Sequence, residues 1–214
     1  MDYADARRRM VDGQLRPNKV NDPRLLEAVR DLPRERFLPP ALRARAYVDE
    51  DVALPGGRAM MEPMVVARLV QLLEARPGER ALVVGAGTGY GAAVLARMGA
   101  AVTAVEEDGA LAAIAREAFA ECLPPAAVHL TDRLPSDGAV FDAVLVEGEV
   151  PAVPEAVSGL LAEGGRLATV VGAGRRNGVA VLGRRIGGAF TVSPVFDCAV
   201  SPLPGFAAPA RFVF

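Results

Sequence analysis

The sequence predicts an α/β fold: a mostly parallel β-sheet with an antiparallel hairpin at its C-terminal end and a helical layer at its N-terminal end. Three observations predict it. From residue 62 onward, short apolar runs typical of buried strands alternate with segments of helical spacing. The first of these runs ends in a glycine turn that opens a helix. Near the end of the chain, two extended segments are joined by Gly187-Gly188, which indicates a hairpin.

Length and composition favour one domain, divided into residues 1–61 (helices and a long loop) and residues 62–214 (the α/β core). A chain of 214 residues buries an ample core. Its net charge of −2, with both signs interspersed, argues against a nucleic-acid partner. No apolar run approaches the ~18 residues of a membrane span, and the N-terminus lacks a signal-peptide pattern. We therefore expect a cytoplasmic protein with no membrane partner.

Metal chemistry is not expected from the available side chains. The two cysteines, Cys122 and Cys198, are far apart in sequence and lack the C-x-x-C spacing. The one histidine, His129, lies between apolar residues of a predicted strand. Neither a zinc site nor a Ser-His-Asp array can be built from this set.

The first fifty residues carry helical spacing. Residues 2–15 form an amphipathic pattern, and Asp22-Pro23 supplies an N-cap and a first-turn proline for a helix over residues 24–30. Short helical segments are predicted over residues 34–38 and 41–47. Together they predict a small helical layer ahead of the sheet.

Residues 47–61 have turn residues and no sustained period, which predicts an irregular loop. Loops of this length are uncommon unless they have a function. Glu62-Pro63 then opens a helix over residues 64–75, whose apolar face should pack on the sheet.

The centre of the prediction is residues 81–90, a buried strand followed by a glycine turn and a helix start. Gly85, Gly87 and Gly89 alternate in the turn, where glycine lets the backbone approach a ligand closely. A dinucleotide fingerprint needs its third glycine at position 90, which is occupied by Tyr90. The turn therefore indicates a ligand loop and disfavours a dinucleotide.

The second strand, residues 101–105, ends in Glu106. A carboxylate in this position can accept hydrogen bonds from two ribose hydroxyls. Together with the glycine loop, it predicts a ligand that has a ribose but no pyrophosphate.

Polar residues also follow the next two strands. Thr131-Asp132 follows the strand over residues 127–130, and Glu147-Gly148-Glu149 follows the strand over residues 141–146. Ligands of open α/β sheets gather at such carboxyl ends. The two acids suit either a ligand amine or base chemistry, and a solvated loop is an equal alternative.

The remaining elements complete the predicted sheet. A helix over residues 109–120 precedes the third strand, and a helix over residues 154–161 is stopped by Gly164-Gly165. A fifth strand follows over residues 166–171. The hairpin strands over residues 179–186 and 189–200 must be antiparallel because a tight turn joins them.

The glycine loop with an acidic strand end resembles the motifs of class I S-adenosylmethionine-dependent methyltransferases, which have a Rossmann-like sheet. The N-terminal residues narrow the resemblance to the protein-L-isoaspartate O-methyltransferase family. These residues are Met10-Val11, Gln14-Leu15, Val20, Asp22, Arg24, Leu26-Glu27-Ala28, Pro33-Arg34-Glu35-Arg36-Phe37, Ala46-Tyr47, Leu54-Pro55 and Gly57. The resemblance implies methyl transfer from S-adenosylmethionine to a carboxyl of damaged aspartyl residues, and hence a protein or peptide acceptor.

The resemblance also implies a set of cofactor-binding residues at the ends of the first four strands. They are Gly85, Ala86, Gly87, Gly89, Tyr90, Glu106, Glu107, Thr131, Asp132 and Glu147.

Two positions depart from the family pattern. The family's Thr-Ile-Ser segment, whose hydroxyls lie near the acceptor, is replaced by Ala59-Met60-Met61, so that the catalytic positions Ala59 and Met61 carry no hydroxyl. Val83 occupies a position that is usually acidic. We therefore expect slow or absent transfer to an isoaspartyl peptide, and tighter cofactor binding after Val83→Asp if the site is otherwise intact.

Three hypotheses stay open at this point. A carboxylate acceptor is already ionised at neutral pH, so transfer needs placement and shielding from water more than a base. This favours a protein carboxyl methyltransferase. The lost hydroxyls leave room for a methyltransferase of another acceptor, or for a non-catalytic relative that binds S-adenosylmethionine.

Overall fold

The computed structural model describes residues 2–136, 138–172 and 177–206. Two short strands in this part of the chain form a small hairpin and seven form the main sheet. They are β1 (Val52–Ala53), β2 (Ala59–Met60), β3 (Arg80–Val84), β4 (Ala101–Val105), β5 (Val128–Thr131), β6 (Phe141–Val150), β7 (Leu161–Val171), β8 (Gly178–Ile186) and β9 (Ala189–Cys198).

The main sheet has the order β5-β4-β3-β6-β7-β8-β9. Strands β3 to β7 run parallel, whereas β8 and β9 are each antiparallel to their preceding neighbour. Gly187 and Gly188, both at positive φ, join the last two strands. This confirms the predicted mostly parallel sheet with a C-terminal hairpin. The chain leaves β3 toward β4 on one side and returns to β6 on the other, and ligands of open α/β sheets bind at such a switch point.

The helices also follow the prediction closely. They are α1 (Tyr3–Met10) with a π-helical turn over Val11–Leu15, α2 (Pro23–Asp31), α3 (Pro63–Leu73), α4 (Tyr90–Arg97), α5 (Gly109–Cys122) and α6 (Glu155–Ser158), together with 3₁₀ turns over Arg34–Phe37, Pro40–Arg45 and Pro55–Gly57. The carboxylates of Asp2, Asp22 and Asp108 cap α1, α2 and α5 by accepting first-turn N–H bonds. None of the helices in the described part of the chain is long and apolar enough to cross a bilayer.

The prediction that the fourth strand ends at Val146 was wrong, because β6 continues to Val150. The backbone of Glu149 accepts a bond from Leu203 N–H and donates one to Ser201 O, so a later segment pairs with this end of the strand. In the pairing with β7, Leu145 lies opposite Ala168 and Glu149 lies opposite Val170. Between these two pairs β6 advances four residues, whereas β7 advances two. Glu147 therefore lies in a bulge, which changes the direction of a side chain.

Two other boundaries also differ from the prediction. The helix expected over residues 154–161 is the single turn α6, and Gly164-Gly165 lies inside β7 rather than before it. The register between β6 and β7 is irregular there, and Gly164 has a φ of +76°, so the glycines form a kink within the strand. The expected irregular loop 47–61 contains the β1–β2 hairpin, because Gly56 and Gly57 adopt the positive φ that its turn requires.

The sheet separates two hydrophobic cores. The N-terminal helices, α3 and α4 cover one face, where the side chain of Val83 is fully buried. Leu82 and Val84 point to the opposite face and pack with Val144 and Val146. This alternation decides which residues of β3 can reach a ligand at its carboxyl end.

Candidate functional site

A cavity of about 300 Å³ lies at the carboxyl ends of β3 and β4, where the sequence predicts a ligand. Its wall combines strand ends, one arginine and a C-terminal segment. The lining residues are Arg58, Val84, Gly85, Val105, Glu106, Glu107, Leu134, Leu203, Pro204, Gly205 and Phe206. The volume is at the lower end of the range for small-molecule sites, roughly 300–1,000 Å³.

The three loop glycines all have left-handed backbone conformations, with φ of 67° at Gly85, 56° at Gly87 and 91° at Gly89. Space also requires glycine at two of them. A Cβ on Gly89 would lie 2.5 Å from Phe119 Cζ, and one on Gly85 would lie 2.6 Å from Leu203 Cδ1. The turn brings Gly85 to the cavity wall, and a side chain there would occupy the cavity's edge.

Glu106 lies in the cavity wall with its side chain 1% exposed. Its Oε2 accepts a hydrogen bond from Gly87 N–H at 2.6 Å, and its Oε1 accepts one from Asp108 N–H at 2.9 Å. Arg58 Nη1 also donates to Oε1 at 2.9 Å. These three hydrogen bonds hold the carboxylate in place, and it therefore links the glycine loop, the start of α5 and Arg58.

Sequence reasoning missed Arg58 as a site residue. Its side chain crosses from the β1–β2 hairpin to the carboxyl ends of the strands, where its Nη2 donates to Gly85 O at 2.7 Å. Because arginine is abundant throughout this chain, the sequence does not identify any one arginine as a site residue. A signal was still present, because Arg58 directly follows the two turn glycines of the predicted functional loop.

The segment from Leu203 to Phe206 was also missed. It forms one wall of the cavity and is attached to the bulged end of β6 by Leu203 N–H donating to Glu149 O at 2.8 Å. Its apolar side chains, Leu203 and Phe206, suit the face of a flat ring. Local sequence patterns do not reveal such pairing, since the two partners are more than fifty residues apart.

Of the other predicted cofactor residues, some line this cavity and others do not. Glu107 lines it, whereas Thr131 and Asp132 do not, although Glu106 N–H donates to Thr131 O at 3.0 Å. Ala86 is buried, and its N–H donates a hydrogen bond to Val105 O. Tyr90 is buried in α4, where its ring meets Phe37 edge-on at 5.4 Å.

Glu147 also lies outside the 300 Å³ cavity and is not in a solvated loop. It faces a second cavity of about 10 Å³, which has room for about one water molecule. The residues around this small cavity are Asp51, Arg58, Ala59, Met61, Glu147, Gly148, Ser201, Pro202 and Leu203. Ala59 and Met61 thus line the same cavity as Glu147, whereas Met60 does not.

A buried arginine holds the loop next to the small cavity. Arg34 Nε donates to Ala46 O at 2.8 Å, and its Nη2 donates to Met61 O. Its guanidinium carbon lies 4.5 Å from the centre of the Tyr90 ring. Three buried polar atoms of this region, Arg34 Nη1, Tyr90 OH and Glu147 Oε1, have no hydrogen-bond partner among the described residues.

Burial raises the pKa of Glu147 from 4.5 to about 8, and the positive charges of Arg58 and Arg34 oppose this rise. The Glu147 side chain keeps some exposure, but its Oε1 is fully buried against Gly91, where a Cβ would lie 2.1 Å away. At neutral pH the neutral carboxylic acid is therefore the main form, and it has a proton to donate.

We expect Glu147→Gln to flatten the dependence of stability on pH. Between pH 4.5 and about 8 the folded protein holds a proton on Glu147 that the unfolded chain has lost, so this residue lowers the free energy of unfolding as pH rises. The slope reaches at most ~1.4 kcal/mol per pH unit. Urea unfolding of both proteins at pH 5.5, 7 and 8.5 measures it. Parallel pH profiles for the two proteins would contradict the assignment.

No group of three or more His, Cys, Asp or Glu residues suitable for a metal ion occurs within residues 2–136, 138–172 and 177–206.

Comparison with known proteins shows the family that this chain resembles. The profile of the Protein-L-isoaspartate(D-aspartate) O-methyltransferase family matches residues 6–205. A Protein-L-isoaspartate O-methyltransferase of Methylorubrum extorquens is 41% identical over 173 residues, which cover 80% of this chain and 76% of that protein. One of Koribacter versatilis is 35% identical over 207 residues, or 95% of this chain and 92% of that protein.

The fold is also found in solved structures. A putative protein-L-isoaspartate O-methyltransferase of Plasmodium falciparum, in complex with S-adenosyl-L-homocysteine, superposes with a TM-score of 0.78 at 20% identity. The match covers 92% of this chain and 97% of that one. At this identity the likeness establishes the fold alone.

Proposed function

The chain belongs to the protein-L-isoaspartate(D-aspartate) O-methyltransferase family of S-adenosylmethionine-dependent enzymes, and from this premise we propose that it methylates a carboxyl of damaged aspartyl residues in proteins or peptides. The observation that carries the proposal is the cavity at the switch point of the sheet. There a glycine loop, an acid at the end of β4 and a loop from the N-terminal region meet.

The residues of the larger cavity fit S-adenosylmethionine. Glu106 offers carboxylate oxygens at the strand end, and Gly85 gives a wall without a side chain. Leu134, Leu203 and Phe206 supply apolar surface for an adenine ring. When bound, the cofactor supplies a methyl group on a positively charged sulfur.

We assign ribose binding to Glu106 and further cofactor contacts to Gly85 of the glycine loop and to Glu107, which line the same cavity. Glu106 already accepts three hydrogen bonds at about four acceptor positions, so binding both ribose hydroxyls requires one present partner to leave. Arg58 is the partner able to leave, because the Gly87 and Asp108 bonds come from the backbone. Cofactor binding is thereby coupled to the hairpin that carries Arg58.

In the proposed scheme, the β1–β2 hairpin lies at the boundary between the two parts of the chain's single domain. Residues 62–214 hold the cofactor, and residues 1–61 place the acceptor. An acceptor carboxylate is ionised at neutral pH and needs in-line placement and exclusion of water. The β1–β2 hairpin covers the strand ends and can provide both.

We expect the purified protein to transfer the methyl group of S-adenosylmethionine to an isoaspartyl peptide. The test measures base-labile, radiolabelled methyl ester on this peptide, with the aspartyl peptide of the same sequence as the control. Transfer to the isoaspartyl peptide alone supports the proposal. If S-adenosylmethionine binds but neither peptide is methylated, a different acceptor is indicated, as the apolar Ala59 and Met61 would allow.

A further inference from the structure

The small cavity brings the positions of the two lost hydroxyls next to a carboxyl group. Ala59 and Met61, where the family pattern has hydroxyls, line it together with Glu147. Arg58 and Leu203 line both this cavity and the larger one, so they form the partition between them. A carboxyl group reaching the small cavity from the larger one must displace these two side chains.

Most other polar groups around the small cavity already have partners. Asp51 accepts bonds from Glu62 N–H through Oδ1 and from Ser201 through Oδ2. Arg58 binds Glu106 and Gly85 O. Within the described part of the chain, Glu147 is the lining side chain whose buried Oε1 makes no hydrogen bond of good geometry, although the nearby Gly91 N–H lowers the pKa of this carboxyl.

We propose that Glu147 replaces the missing loop hydroxyls by donating a hydrogen bond to the carboxylate that accepts the methyl group. This inference rests on the proposed function and names the acceptor-binding group of that same site. Its supporting geometry is the bulge in β6, which leaves Glu147 out of the pairing with β7 and in the wall of the small cavity together with Ala59 and Met61.

The chemistry of the step is balanced without a base. One acceptor oxygen forms the new bond to the methyl carbon, the carbon–sulfur bond breaks, and its electron pair stays on sulfur. Glu147 keeps its proton throughout and holds the other acceptor oxygen. A neutral acid and a carboxylate form a short, strong hydrogen bond.

The surroundings of Glu147 favour the protonated form. Burial raises its pKa to about 8, as does the nearby charge of Glu106 at the end of β4. The cations Arg34 and Arg58 act in the opposite direction, and Tyr90 in α4 is buried beside Arg34. The negative charge of an arriving acceptor raises the pKa of Glu147 further and so helps it keep its proton.

The test compares Glu147→Ala and Glu147→Gln with the unchanged protein in transfer to the isoaspartyl peptide. Glu147→Ala removes the donor, so we expect the KM for the peptide to rise roughly 10- to 100-fold. Glu147→Gln keeps an N–H donor and should retain most of the activity near pH 7. Glu149→Gln is the matched control, because that acid lies on the same strand but packs against Gly172 and Gly178.

The pH profile separates this role from a structural one. In the unchanged protein, kcat/KM for the peptide should fall as pH rises through about 8, when Glu147 ionises and repels the acceptor. The fall should disappear in Glu147→Gln. The dissociation constant of S-adenosylmethionine, measured by calorimetry, should stay within about twofold in both Glu147 variants.

The outcomes distinguish the two proposals. A Glu147→Ala protein with an unchanged peptide KM, or a Glu147→Gln protein with the same pH dependence as its parent, overturns the role of Glu147 and leaves the proposed function standing. A large loss of cofactor affinity in both variants also overturns it, because Glu147 would then belong to the cofactor site. If the unchanged protein methylates no isoaspartyl peptide, both proposals fail.

Discussion

Glu106→Ala is expected to weaken binding of S-adenosylmethionine roughly 10- to 100-fold, since the ribose loses charge-assisted hydrogen bonds worth ~1.5–3 kcal/mol. The variant should also unfold at lower temperature. Loss of the Glu106 carboxylate leaves the Gly87 and Asp108 N–H groups and Arg58 Nη1 without their acceptor. Calorimetric titration and thermal unfolding of the same preparation measure the two effects.

Arg58→Ala provides the matched control for Glu106. It breaks the same ion pair from the other side but leaves both backbone bonds to the carboxylate in place. We expect cofactor affinity to stay the same or to rise, because a ribose no longer has to displace the guanidinium. If Arg58→Ala weakens binding as much as Glu106→Ala does, the ion pair itself builds the site, and a direct role of Glu106 on the ribose is refuted.

The sequence was sufficient to predict the order and type of the elements that form the cavity. Strand β3, the turn at Gly85, helix α4 and the acid at the end of β4 all depend on neighbours within about twenty residues. Apolar periodicity and the conformational freedom of glycine determine such local structure. The position of Glu106 beside the glycine loop follows once β3 and β4 are parallel neighbours.

The polar contacts that complete the site could not be predicted in this way. Arg58 and Glu106 are 48 residues apart, and nothing in the local pattern of either indicates the other. The same holds for Leu203 beside Gly85. The partners of a long side chain depend on which residues the fold brings near it, so these contacts result from the tertiary structure.

Glu147 illustrates a further limit of sequence reasoning. Its neighbours Gly148 and Glu149 look like a strand end followed by a polar loop. The strand continues because its end pairs with β7 at Glu149 and Val150 and with the backbone near Leu203. That pairing buries an acid which would otherwise be solvated, and burial changes its expected charge at neutral pH. Pairing with distant segments thus buries an acid that the local sequence pattern assigns to a solvated loop.

Val83→Asp is expected to cost most of the protein's stability rather than to tighten cofactor binding. Val83 is fully buried in the middle of the sheet, opposite Ala104 of β4 and Leu145 of β6, and it points into the helix-covered core. Val84 and Gly85 line the cavity, but Val83 does not. A carboxyl group at position 83 would lie in this hydrophobic core. A buried charge without a partner costs ~3–5 kcal/mol. The free energy of unfolding of a typical protein is only about 5–15 kcal/mol in total.

Val83→Thr tests whether charge or shape is responsible for that loss. Threonine keeps the branched shape, so its cost is limited to one buried hydroxyl, ~1–3 kcal/mol. Urea unfolding followed by circular dichroism should rank the parent above Val83→Thr and that variant well above Val83→Asp. The deficit of Val83→Asp should shrink from pH 8 to pH 5, because protonation removes the buried charge. A folded Val83→Asp protein with a smaller dissociation constant for S-adenosylmethionine would show instead that position 83 reaches the ligand, as an acid at this place in the family pattern suggests.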